Sequence, residues 1–161
     1  MTATSEEVEK VSKLIEGARI ALVTTVGPEG QLFSRPLAMP DREFDGELWF
    51  FTQDPSSKTE QVAANDQVNV ALQVDNGYVS IAGTATVSRD QAMIDELWNR
   101  HAAAWFEEGR EDPAVALLRV KADSAEYWTV DSPKLVAAIK YAKAIVTGGQ
   151  PDVGDNVSVN L

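Results

Sequence analysis

Apolar residues along this chain recur with two periods, close to 3.6 in a few segments and 2 in most others. Near the start, Val8, Val11, Leu14 and Ile15 fall at helical spacing, and Gly17 follows as the stop. RIALVTTV then reads as a β-branched strand, and GPEG as a tight turn into QLFSRPLAM. PDREFDG breaks the chain before ELWFFT, and a short helix is expected from about Lys58 to Ala64. In QVNVALQV, Val68, Val70, Leu72 and Val74 share one face. Asp75-Asn76-Gly77 signals a hairpin into the long strand YVSIAGTATVS.

The helical period returns in RDQAMIDELWNRHAAAWF, where Met93, Ile94, Leu97, Trp98 and His101 form one stripe. After the loop EEGREDP, VALLRVKA and AEYWTV read as two further strands. DSPKLVAAIKYAKAIVTGG is expected to be a helix capped at Asp131 or Ser132, with Pro133 in its first turn and Gly148 at its stop. The tail, residues 149–161, alternates weakly and is expected to be mobile or to pack on a partner subunit. About seven strands and two substantial helices, joined by hairpins rather than βαβ crossovers, imply a mainly β fold with flanking helices. Its sheet is antiparallel and most easily closes into a barrel.

Composition narrows the function. A chain of 161 residues is read as one domain, 1–161, with apolar and charged fractions of 44% and 24%. A net charge of −11 argues against nucleic acid and acidic membrane as partners. No cysteine and one histidine exclude disulfides, thiolate chemistry and Cys- or His-rich metal centres. The acidic start has no apolar leader and no stretch is long enough to span a bilayer, so a cytoplasmic location is expected. Glycine-rich nucleotide fingerprints are missing: TGGQPDVG follows a helix, not a strand.

Three places can carry chemistry. In FSRPL, Pro36 cannot donate to a ladder and belongs on an edge or at a bulge, holding Arg35 extended. A guanidinium there either pairs with one of the many carboxylates or presents its fork to an anion. In WFFTQDPSSKTEQV, Ser57-Lys58-Thr59-Glu60 fits a capping box. Yet Lys58 in the first turn opposes the helix dipole, which a bound anion would offset, and Thr52 can add a hydroxyl. Trp49 and Phe51 face one side of their strand and Leu48 and Phe50 the other, so one pair needs a second apolar surface, a core, a subunit interface or a planar ligand. His101 is expected to be a structural histidine on its apolar stripe, and the pairs Asp95/Glu96 and Glu107/Glu108 to be solvated faces.

The order of SRP, turn, LWFFT, SSK, short helix, hairpin and YVSIAGTATV resembles the FMN-binding split-barrel family, which includes pyridoxamine 5′-phosphate oxidase. LWNRHAAAWFEEGREDPAVALLRVKADSAEYW and SPKLVAAIKYAKAIVTGGQPD are closer to its general stress protein 26-like branch. The resemblance runs from about Val8 to the tail. It implies a six-stranded antiparallel split β-barrel, a homodimer and FMN at the subunit interface. By resemblance, Arg35 and Lys58 grip the FMN phosphate with Ser57 beside them. Pro36, Leu37, Phe51 and Thr52 run along the isoalloxazine, and Trp128 approaches the flavin. Alternatives to FMN are FAD, a deazaflavin, haem or no cofactor. The tail VGDNVSVNL lacks the basic segment that handles pyridoxamine phosphate, so oxidation of that substrate is not expected. The implied function is an FMN-dependent oxidoreductase with a stress-related role, or else a flavin-holding protein without turnover.

Overall fold

A computed structural model describes residues 4–129, 144–146, 148 and 155–161. In chain order the elements are α1 (Ser5–Ile15), β1 (Ile20–Val26), β2 (Leu32–Ala38), β3 (Glu47–Gln53), α2 (Ser57–Ala64), β4 (Gln67–Val74) and β5 (Gly77–Ser88). They continue with α3 (Gln91–Leu97), α4 (Arg100–Ala103), a 3-10 turn (Gly109–Glu111), β6 (Val115–Thr129) and β7 (Asp155–Asn160). All the strand pairings are antiparallel.

The strand order is β2-β1-β4-β5-β6-β3, with β7 also on β6. The length of β6 permits this: Val115–Lys121 pairs with β3, and Ser124–Thr129 pairs on the same edge with β7. β5 pairs along the other edge, and a bulge opposite Ala82/Gly83 leaves Asp123 outside the register. Such a bulge bends the strand and increases its twist. The sheet curls into a half-barrel of six strands.

Period-2 alternation fills the interior. Ala21 and Val23 of β1, Leu48 and Phe50 of β3, Val68, Val70 and Leu72 of β4, and Val79 and Ile81 of β5 are all buried there. α1 adds Val11 and Ile15 to the same core. Burying a phenylalanine fully, as at Phe50, contributes roughly 1.5–3 kcal/mol. The opposite face of β3 meets a second cluster: Trp49 is buried with Ile94, Leu97, Phe106, Val115 and Leu117, and Phe51 packs against it. That is the second apolar surface which the aromatic alternation required.

Gly77 shows why a side chain is missing at the base of the β5–β6 pair. A Cβ there would lie 1.7 Å from the Trp128 carbonyl oxygen, so only glycine allows the two backbones to approach.

Several expectations need correction. The two strands read after EEGREDP are one strand, β6, because β5 pairs past the polar Asp123-Ser124 step through the bulge. The helix expected to carry His101 on its apolar stripe breaks at Trp98–Asn99. Asn99 caps α4 by accepting from the Ala102 amide at 2.8 Å, while Trp98 turns toward Phe51, edge to face at 5.6 Å, and Phe106 at 6.1 Å. His101 is consequently exposed. The helix read from Asp131 falls mostly outside the described residues, of which 144–146 are helical. In the tail, Asp155–Asn160 pairs with β6 of its own chain. Among the described residues no helix is long and apolar enough to cross a membrane.

Candidate functional site

The start of α2 organises the site. Ser56 is its N-cap: the Thr59 amide donates to Ser56 Oγ at 3.3 Å, and the Ser56 amide donates to Thr59 Oγ1 at 2.9 Å. The capping box expected at Ser57–Glu60 therefore begins one residue earlier, with Thr59 in place of an acid. Thr59 is buried and its short side chain reaches back to the cap, while Glu60 points to solvent. Ser57 and Lys58 become the first two helical residues, so Ser57 is exposed and does not cap. Just before α2, Arg89 holds the loop by donating to Asp54 Oδ2 at 2.7 Å and to the Pro113 carbonyl at 2.5 Å.

Arg35 reaches the same place from β2, an end strand of the sheet order that tolerates Pro36. It pairs with the inward-facing Val23 and so lies on the inner face. Its Nη1 donates to Thr25 Oγ1 at 2.7 Å and to the Val23 carbonyl at 3.3 Å, and its Nη2 donates to Gln61 Oε1 at 3.1 Å. Thr25 is fully buried and donates its own proton to Gln61 Oε1 at 2.7 Å. Lys58 Nζ donates to Thr52 Oγ1 at 2.6 Å, and Thr52, buried at the end of β3, donates onward to the Gln53 carbonyl.

Every acceptor around these two cations is neutral. Among the described residues Arg42, Arg89, Arg110 and Arg119 form ion pairs with carboxylates, whereas Arg35 and Lys58 form none. Burial pushes the Lys58 ammonium below the ordinary lysine range, and the Arg35 charge pushes the same way. Burial also lowers Arg35. Two half-buried like charges without a carboxylate partner, in a chain with 25 acidic residues, are an arrangement that can hold a small anion.

Of the residues singled out from the sequence, Arg35, Thr52 and Lys58 come together, with Ser57 at their rim. Pro36 and Leu37 point to opposite faces: Leu37 packs on the main core and Pro36 lies outside beside Leu22. Phe51 points away from Thr52 into the second cluster. Trp128 sits at the far end of β6 from Ala116, the partner of Thr52, and is 39% exposed on the outer face. Thr25 and Gln61 were missed. Their signals were a threonine at an inward position of an apolar strand and a glutamine three residues after Lys58, on the same side of the helix. The described residues hold no cluster of three or more His, Asp or Glu suited to a metal.

A family model described as pyridoxamine 5′-phosphate oxidase like matches residues 6–152. The chain belongs to that family. Its half-barrel is the split barrel of pyridoxamine 5′-phosphate oxidase-like proteins. Protein bli-3 of Neurospora crassa is 26% identical over 156 residues, covering 89% of this chain and 74% of that protein. General stress protein 26 of Bacillus subtilis is 24% identical over 120 residues, covering 70% and 81%. The general stress FMN/FAD binding protein of Xanthomonas citri superposes with a TM-score of 0.69 at 33% identity, covering 81% of this chain and 93% of that one.

Proposed function

We propose that this pyridoxamine 5′-phosphate oxidase-like protein binds FMN, with Arg35 and Lys58 holding the phosphate. The observation that carries this reading is the pair of half-buried cations whose partners are all neutral. Two cations balance the charge of a terminal phosphate dianion such as that of FMN. The amides at the start of α2 add donors and the positive end of a dipole. The kinship with a general stress FMN/FAD binding protein supports a flavin ligand.

A homodimer completes the reading. The outer face of the sheet carries Ile20 and Leu22 of β1, Pro36 of β2, Tyr78 of β5 and Trp128 of β6, which are all exposed. Across the paired positions 20–24, 34–38, 69–73, 78–82 and 124–128, the outward-facing residues include a single charged side chain, Glu126. Such a face, in a chain of this charge, suits a second copy. On that face Trp128, at the far end of β6 from the cation pair of its own chain, would meet the other subunit.

When bound, FMN supplies hydride or electron chemistry, and the chain binds and orients it. Among the described residues, Thr25, Thr52 and Gln61, which surround the cation pair, do not titrate, and Lys58, which does, is taken up by the phosphate. That favours, as a second reading, a protein that holds flavin without turnover. The visible spectrum of the purified protein tests the first claim: flavin bands are expected, and a colourless protein that fails to take up added FMN overturns it. Reduction of bound FMN by NADH or NADPH faster than free FMN supports an oxidoreductase; reduction no faster supports the holding role.

A further inference from the structure

Arg35 is held by a closed set of donors and acceptors. Its guanidinium has five N–H groups, of which three are engaged: two on Nη1, with Thr25 and the Val23 carbonyl, and one on Nη2, with Gln61. Thr25 has one proton and gives it to Gln61, so its lone pairs face Arg35. Gln61 Oε1 receives from both. Arg35, Thr25 and Gln61 thus form a triangle that fixes the guanidinium plane from β1 and α2 together. The Nε–H and the second Nη2–H are left for a ligand.

We infer that Gln61, supported by Thr25, is the positioning residue for Arg35, and that its neutrality keeps the guanidinium available to an anion. A carboxylate at position 61 would take the guanidinium as a bidentate, charge-assisted pair, which is roughly twice as strong as a neutral hydrogen bond. It would cancel the charge that the site offers. An amide holds the same geometry without competing for that charge. Gln61 also lies one helical turn from Lys58, so α2 carries one gripping cation and the orienter of the other.

This inference rests on the FMN-phosphate reading, and the experiment separates their failures. The affinities of FMN and riboflavin, which lacks the phosphate, are measured by flavin fluorescence quenching. The proteins are wild type, Gln61→Glu, Gln61→Met, Arg35→Ala and the double variant Arg35→Ala/Gln61→Met. Wild type is expected to prefer FMN over riboflavin by at least about tenfold, one charge-assisted contact's worth. Gln61→Glu should remove most of that preference and Gln61→Met several-fold of it, with riboflavin binding unchanged in both. With Arg35 already alanine, Gln61→Met should cost nothing further. A wild type without any preference for FMN overturns the phosphate site and this assignment with it. A wild-type preference that Arg35→Ala abolishes and both Gln61 variants retain overturns the assignment alone. So does a Gln61→Met loss of equal size with and without Arg35. Unchanged riboflavin binding in each variant guards against reading a misfolded pocket as a lost grip.

Discussion

Replacing Lys58 by methionine keeps the side-chain stem and removes the charge. In the empty protein that charge is disfavoured by burial first and by Arg35 second. The empty variant should therefore melt no lower than wild type, although Lys58 loses its bond to Thr52, whose hydroxyl still donates to the Gln53 carbonyl. FMN at about a hundred times its dissociation constant stabilises wild type by about 2.7 kcal/mol. For a chain of this size that is a melting shift of roughly 5–11 °C. Losing a charge-assisted contact of about 2 kcal/mol weakens binding roughly 30-fold. At the same FMN concentration the stabilisation falls to about 0.9 kcal/mol, a shift of roughly 2–4 °C. Thermal melts of both proteins with and without FMN read all four values. A variant that melts several degrees lower when empty, yet keeps the full FMN shift, would make Lys58 a structural residue and refute the reasoning.

The lowered pKa of Lys58 also sets a pH dependence. As pH rises through the folded-state value, the empty site loses a cation, so FMN affinity should fall at a pH below the ordinary lysine range. Lys58→Arg should remove that fall in a titration of affinity against pH, and persistence of the fall would point to another group. For folding the sign is opposite. Between the folded and unfolded values the unfolded chain holds the extra proton, so the Lys58 contribution to the stability of the empty protein rises with pH. Gly77→Ala places a Cβ on the Trp128 carbonyl and should destabilise by about 1–3 kcal/mol or more, read as a lower denaturant midpoint. Leu22→Glu adds a charge to an outer face on which Glu126 is the one charged side chain among the paired positions, and should shift the proposed dimer to monomer in sedimentation; a dimer that persists would place its interface elsewhere.

The faces of the strands were legible in the chain because a period of 2 assigns each side chain to one side. That alone put Leu48 and Phe50 opposite Trp49 and Phe51 and demanded two apolar surfaces, both of which exist. Arg35 and Lys58 were legible as ill-matched residues, one beside a proline in a strand and one at the positive end of a helix. Periodicity does not say which strand stands next to which. The order β2-β1-β4-β5-β6-β3 and the curl of the sheet bring β1, β2 and α2 to one place. Only there do Thr25 and Gln61 become partners of Arg35. The cap at Ser56 rather than Ser57, the serine that fits the Ser-x-x-Glu pattern, was decided by which hydroxyl faces the buried Thr59. At Trp98 the helix gives way to ring contacts with Phe106 and with Phe51, a residue distant in sequence, and Asn99 caps the next helix. The sequence by itself therefore determined which residues were out of place as plain structure. Tertiary structure decided which of them meet, because contact between elements depends on strand order and curvature, which no local pattern encodes.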